Sequence, residues 1–209
     1  MTADSSASGS SASTLAGDPI ERFREVLARA IALDRAILPE PTAMALATVR
    51  GDGQPSVRIV LLKNVDERGF VFYTNLEGRK GRELRAHPLA ALCFHWQALE
   101  EQVRVEGPVE QVTDAEADAY FASRPRGSQL GAWASRQSQP IAVEGELERR
   151  LAEVEQRFAG VPVTRPPFWT GFRVVPARME FWKNQPSRLH IRHLYERDGD
   201  GWRTSVLYP

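Results

Sequence analysis

Apolar and polar positions in this chain change rhythm several times, and each change marks an element. Ile20, Phe23, Leu27, Ala30 and Ile31 recur at the spacing of one helix face. Ahead of them, Asp18-Pro19-Ile20-Glu21 supplies an N-cap, a proline for the first helical position and a capping-box Glu, so a helix is predicted over 18–34. Pro39 and Pro41 end it. The rhythm then shortens to strand-like runs rich in Val, Ile, Leu and Phe at 44–50, 56–63, 70–75, 89–97 and 102–112. Gly51-Asp52-Gly53 reads as a turn and 64–69 as a polar connection. Residues 78–87 read as a helix that stops before Pro88. Thr113 or Asp114 caps another through 123, a short one covers 129–135, and 146–158 is a charged amphipathic helix. After the loop marked by Pro162, Pro166 and Pro167, strands are predicted over 172–182, 189–197 and 202–207, with Asp198-Gly199-Asp200-Gly201 as the last turn. Strands at this spacing predict a mostly β, α+β fold: an antiparallel sheet or barrel with helices packed outside.

Composition narrows the function classes. The 209 residues carry 27 basic and 27 acidic side chains, which argues against a generally basic nucleic-acid binder. A lone cysteine, Cys93, rules out an internal disulfide framework and a multi-cysteine zinc site, and fits a reducing, cytoplasmic setting. No apolar run reaches membrane-spanning length. Residues 1–17 are mostly Ser, Ala, Thr and Gly without Lys or Arg, so they read as a disordered tail before a single domain over 18–209, and as neither a secretory nor a transit peptide.

Four constellations could carry chemistry. Arg58 and Lys63 end an apolar strand; alternation puts them on opposite faces, so both reach one ligand only where the strand bulges or ends. Tyr73-Thr74 precede Gly78-Arg79-Lys80-Gly81 at a strand-to-helix junction suited to an anion, although the Walker A spacing is missing. Tyr120 and Arg124 share a predicted helix face, with Ser128 one step on, and together could grip a phosphate. Period two places Arg188, His190 and Arg192 on one strand face, opposite Leu189 and Ile191. Each also has a plain reading as solvated charge. His87, His95, His190 and His193 lack metal-ligand spacing, Cys93 lies in an apolar run, and Gly-x-Ser-x-Gly is absent.

Taken together, the segments resemble the pyridoxine/pyridoxamine 5′-phosphate oxidase family. The stretches that carry this are Pro41-Thr-Ala-Met44, Arg58-Ile-Val-Leu-Leu-Lys63, Val71-Phe-Tyr-Thr-Asn75, Glu101-Gln-Val103, Tyr120-Phe-x-Ser-Arg-Pro-Arg126, Ser128-Gln-x-Gly-Ala-Trp133, Ser135-x-Gln-Ser138, Phe181-Trp182 and Arg188-Leu-His190, in the same order. The resemblance implies an FMN-binding split barrel working as a homodimer, with the flavin at the interface. It implies FMN contacts from Arg58, Ile59, Val60, Leu61, Leu62 and Lys63, from Tyr73, Thr74, Arg79 and Lys80, and from Gln102, Gln137, Ser138, Trp182 and Arg192. It implies that Lys63, Tyr120, Arg124 and Ser128 hold a substrate phosphate, and that Arg188, Leu189 and His190 meet the substrate, Arg188 and His190 catalytically. The implied reaction oxidises phosphorylated B6 vitamers with oxygen to pyridoxal 5′-phosphate, giving hydrogen peroxide and, from the amine, ammonia. A related flavin oxidase acting on another substrate, as in phenazine synthesis, and a non-catalytic FMN or pyridoxal-phosphate binder are the alternatives. Two departures stand out. Ile191 occupies a position where the family often has Asp, and the Ser/Ala tail lacks the Arg-Arg and Tyr segment that covers substrate in some members.

Overall fold

The computed structural model describes residues 17–209, so the tail expected over 1–17 lies, except for Gly17, outside the described residues. Helix α1 (Pro19–Ile31) keeps its N-cap, with Asp18 Oδ1 accepting the Ile20 N–H at 2.8 Å, and its Pro19 start, but the expected capping box does not form, because Glu21 pairs with Arg24 one turn on. It stops short of Asp34, whose side chain instead caps the Ala36 N–H in a turn of its own. Strands β1 (Ala43–Val49) and β2 (Pro55–Leu61) form a hairpin. The segment read as a plain connection contains a short strand, β3 (Asn64–Asp66), paired with β4 (Gly69–Asn75). Asp66 Oδ1 makes that turn by accepting the Arg68 and Gly69 N–H groups. Then follow α2 (Arg79–Ala86), β5 (Leu89–Trp96), β6 (Glu101–Gln111), α3 (Asp114–Ser123), α4 (Arg126–Ala134), α5 (Glu146–Arg157), β7 (Trp169–Val174), β8 (Arg178–Lys183), β9 (Ile191–Asp198) and β10 (Gly201–Leu207).

All strand pairs are antiparallel, and the order β6-β5-β1-β2 returns through β4 and β7 to β6, closing a barrel. The Lys63 N–H, bonded to the Val71 carbonyl at 2.8 Å, joins the β2 end to β4. Strand β6 is shared: residues 101–106 pair with β8 and residues 109–111 with β7, and β8-β9-β10 extend the sheet beyond β6 as an arm whose Met179, Phe181 and Tyr195 still pack into the core. The stretch 172–182 is therefore two strands and not one. Between them, Val175 and Ala177 donate to Pro108 and Glu106 across Gly107, while Pro176 has no N–H to give. A Cβ on Gly107 would overlap the Val175 carbonyl, so only glycine permits this crossing.

The barrel core centres on Phe23 of α1, packed on Phe70 and Phe94 with ring centroids 4.8 Å away in each case. Trp96 closes the same cluster and donates its indole N–H to the Pro41 carbonyl at 2.8 Å. Burying an aromatic ring of this kind stabilises the fold by roughly 2–3 kcal/mol. A smaller cluster of Phe121, Leu130, Phe158, Val163 and Trp169 holds α3, α4 and α5 beside the barrel. Of the two N-caps offered for α3 the structure uses Thr113, and it adds a full capping box: Thr113 and Glu116 exchange side-chain bonds with each other's backbone.

Two expectations about local geometry fail. Strand β9 begins at Ile191, because Pro186–Arg188 form a 3-10 turn in which Ser187 (φ 58°) and Arg188 (φ 62°) are left-handed. Strand alternation therefore does not place Arg188 and His190 beside Arg192. Likewise, α3 ends at Ser123 and Arg124 is extended, since Pro125 disfavours a helical residue before it.

Candidate functional site

A cleft of about 540 Å³ opens where the end of β2 meets β4, α3 and α4. Its lining includes Ile59, Val60, Leu61, Lys63, Tyr73, Thr74, Lys80, Tyr120, Arg124, Ser128 and Gln137. Lys63 reaches it because β2 has ended at Leu61, which answers the alternation problem posed by the sequence. Arg124 reaches it from beyond the helix. Among the lining residues the charged groups are Lys63, Lys80 and Arg124, with no carboxylate. The cleft thus presents positive charge without internal compensation.

Stacked rings build one wall. Tyr73 lies flat on Tyr120 at 4.0 Å and on Trp169 at 5.2 Å, and the Arg124 guanidinium sits 4.9 Å from the Trp169 centroid. Arg124 Nη1 is buried without a hydrogen-bond partner. A buried guanidinium N–H left unpaired costs stability unless an acceptor arrives, so this atom marks a place for an anion's oxygen. Burial lowers the Arg124 pKa and raises those of Tyr73 and Tyr120, so both phenols stay protonated as donors.

Beneath this wall, Arg173 is 2% exposed and bonds Glu116 (2.9 Å), Asp66 (3.2 Å) and Glu110 (3.3 Å), tying α3 and the β3–β4 turn to β7. The bond from Arg173, followed by those from Thr113, holds the Glu116 carboxyl at about 2.

The other wall is the β4–α2 junction. Lys80 Nζ donates to Thr74 Oγ1 (3.2 Å) and Gln137 Oε1 (3.0 Å), and Thr74 also donates to Gln137 (3.1 Å). Burial, then the neighbouring Arg58, lowers the Lys80 pKa. Arg79 and Arg58 stand behind, both bonded to the buried Glu83. Leu62 points into the barrel core and its N–H bonds the Thr42 carbonyl. Ser138 is exposed and left-handed (φ 69°), in the loop after α4.

The remaining candidates lie on the arm, outside the cleft. Gln102 of β6 faces Trp182 of β8 across the ladder, and Trp182 faces Arg192 of β9. Arg192 Nε donates to Glu180 at 2.7 Å and its Nη1 to the Tyr208 carbonyl at 2.9 Å, so its support comes from Glu180 and does not depend on position 191. The His190 ring packs 4.6 Å from Trp182, and His190 Nδ1 accepts the Gln185 N–H at 3.3 Å, leaving Nε2 free to face a ligand. Arg188 is exposed and Leu189 is 68% exposed. In sheet order, β1, β5, β6 and β8 separate β2 from β9, so one chain does not bring its two groups of candidates together.

Sequence reasoning missed Trp169, Arg173, Glu83 and Glu180. Only Glu83 left a local trace, four residues after Arg79 on a predicted helix.

Known proteins give the arrangement its context. Residues 33–158 match the family described as pyridoxamine 5′-phosphate oxidase, and residues 169–209 match the pyridoxine 5′-phosphate oxidase C-terminal dimerisation region. A pyridoxine/pyridoxamine 5′-phosphate oxidase of Myxococcus xanthus is 68% identical over 92% of each chain. One of Rubrobacter xylanophilus is 60% identical over 92% of this chain and 87% of its own. Among solved structures, PhzG from Burkholderia lata, in complex with tetrahydrophenazine-1-carboxylic acid, superposes with a TM-score of 0.83 at 33% identity, covering 92% of this chain and 93% of its own. A pyridoxamine 5′-phosphate oxidase-related, FMN binding protein of Nostoc punctiforme shares the fold, with a TM-score of 0.73 at 18% identity over 90% of this chain and 97% of its own. By sequence along most of its length and by architecture, this chain belongs to the pyridoxamine 5′-phosphate oxidase family.

Proposed function

We propose that this protein is an FMN-dependent oxidase that converts pyridoxine 5′-phosphate and pyridoxamine 5′-phosphate to pyridoxal 5′-phosphate. Oxygen is the acceptor, hydrogen peroxide is released, and the amine substrate also yields ammonia. It works as a cytoplasmic homodimer in vitamin B6 synthesis and salvage. Among the described residues no helix is long and apolar enough to cross a membrane. The observation that carries the reading is the cleft with three cations, no carboxylate and an unpaired buried guanidinium N–H. Such a cleft takes a phosphorylated ligand in preference to a neutral one.

The residues fit a phosphorylated flavin. Arg58, Arg79, Lys80, Thr74, Gln137 and Ser138 would hold its phosphate end, and Gln102, Trp182 and Arg192 its ring end. FMN supplies the hydride acceptor and hands the electrons on to oxygen. Lys63, Tyr120, Arg124 and Ser128 would fix the substrate phosphate, and that anchoring orients the reacting carbon. His190 and Arg188 would close over the pyridine ring.

The homodimer follows from where the two groups sit. Strand β2 exposes Val57 and Ile59 beside the cleft, and the arm exposes Leu189, Ile191 and Val206. A second copy covers both apolar edges and brings its arm to the first copy's cleft.

The test is one experiment on purified protein. Flavin absorption that bleaches when pyridoxine 5′-phosphate is added without oxygen, and returns in air as pyridoxal 5′-phosphate forms, is expected. A flavin that stays oxidised with this substrate overturns the assignment. Bleaching by unphosphorylated pyridoxine at equal concentration removes the role of the cleft.

A further inference from the structure

The cations behind the cleft are gathered by one carboxylate. Glu83, on α2, is 4% exposed. Its Oε1 accepts from Arg79 Nε at 2.9 Å, and its Oε2 accepts from Arg58 Nη2 (3.1 Å), Ser56 Oγ (2.7 Å) and Thr48 Oγ1 (2.5 Å). Arg58 is steered further by Ser56 Oγ at 2.6 Å, the Leu46 carbonyl at 3.3 Å and the Thr48 hydroxyl. One side chain thus fixes guanidiniums from β2 and α2 against β1. Arg79 spends only its Nε on Glu83, so its two Nη groups face outward with donors to spare. Gly81 lets α2 lie this close to β4, because a Cβ there would press on the Asn75 and Leu76 carbonyls.

We propose that Glu83 is a positioning residue: it aims the free Nη groups of Arg79 at the FMN phosphate, fixes the charge of Arg58 behind them, and so sets the preference for FMN over flavins that lack the phosphate. This rests on the FMN reading above. Two effects of Glu83 oppose each other. As a negative charge near an anion it repels the phosphate, and its removal would tighten binding. As the shared acceptor it holds together Arg58 and Arg79, which otherwise repel each other and the adjacent Lys80 and spread on flexible stems. The carboxylate is bonded directly to two guanidiniums, so its charge is largely compensated at the phosphate, while the aim of the Arg79 fork and the placement of the Arg58 charge depend on it. The geometry assigns the larger share to aim.

The test compares FMN with riboflavin binding to apo protein, by quenching of flavin fluorescence, in wild type, Glu83→Gln and Glu83→Asp. Wild type is expected to prefer FMN. Glu83→Gln should weaken FMN about 30-fold, the scale of losing well-aimed charge-assisted bonds, and leave riboflavin within about threefold. Glu83→Asp keeps the charge but is too short to span both guanidiniums, so it should fall between. The alkaline limb of FMN binding should also move to lower pH in Glu83→Gln, because Lys80 loses a favourable neighbour; a merely structural role would leave that limb in place. Tighter FMN binding, or an unchanged FMN-to-riboflavin ratio, in Glu83→Gln overturns the proposal. If Glu83→Gln does not fold, as judged by Tm, the ratio in Glu83→Asp decides, and an unchanged ratio there overturns it. A wild type that does not distinguish the two flavins removes the FMN reading itself.

Discussion

At the β2–β4 edge, Lys63, Lys80 and Arg124 converge on a cleft within one chain; Arg124 is held by stacking and burial, and Lys80 by its bonds to Thr74 and Gln137. On the arm, Trp182, Arg188, His190 and Arg192 lie along β8, a left-handed turn and the start of β9; Arg188 is exposed and the other three are half-buried. The two regions use the same residue types with opposite strategies. The cleft is pre-organised and holds its orphan donor in place before any ligand arrives. The arm presents groups that no cleft of its own chain encloses. In the reading proposed above, anchoring would belong to the barrel of one protomer, and chemistry to the arm of its partner.

The sharpest way to break this comparison is to strip the anchoring side. Changing Arg79 and Lys80 together to Ala should weaken FMN about 1,000-fold, the sum of two charge-assisted bonds, and yield apo protein; a fully flavin-loaded double variant would cancel the division. Arg188→Ala should lower kcat by roughly 100-fold through lost orientation while the visible spectrum shows flavin still bound. Apo protein from that variant would move Arg188 to the anchoring side.

Acid probes the same contrast through stability. Burial alone would raise the Glu83 pKa, but the bonds from Ser56, Thr48, Arg79 and Arg58 outweigh it and hold the carboxyl at about 2, against an ordinary 4.5. Because the folded value is the lower one, the stabilisation is fully present above about pH 5 and is lost as pH falls from 4.5 toward 2, amounting to roughly 3 kcal/mol. The Tm gap between wild type and Glu83→Gln should therefore shrink between pH 6 and pH 3; a constant gap would remove this account. Arg124→Ala should raise the KM for the phosphorylated substrate about 30-fold with kcat nearly kept, as measured by steady-state kinetics. The smallest effect is expected from Ile191→Asp, within about threefold in kcat, because Arg192 already has Glu180 as its charged partner.

Much of this was legible in the chain. The 3.6 rhythm of α1, the N-cap of α3 at Thr113 and the apolar runs that become β1 and β5 are local signals, and the structure keeps them. The split of 172–182 left one local sign, Pro176, but nothing in Phe172–Val174 announces that its partners are β4 and the end of β6 while the next strand, β8, pairs with β9 and the start of β6. The turn at Ser187 and Arg188 was hidden for a similar reason: both residues take a left-handed conformation that their sequence does not demand. In the site, cations near glycines, tyrosines and strand ends could be read directly. Glu83 showed only its helical spacing from Arg79, since its other three partners, Thr48, Ser56 and Arg58, are distant in sequence.

The order in which the barrel closes has a consequence for the chain as it is made. Strand β7 is inserted between β4 and β6, and Phe70 waits for Val174. Until the ribosome has delivered nearly the whole polypeptide, β4 and the end of β6 are open edges, the kind of surface on which nascent chains stick to one another. A message truncated anywhere before Trp169 would yield an aggregating fragment and no smaller working enzyme.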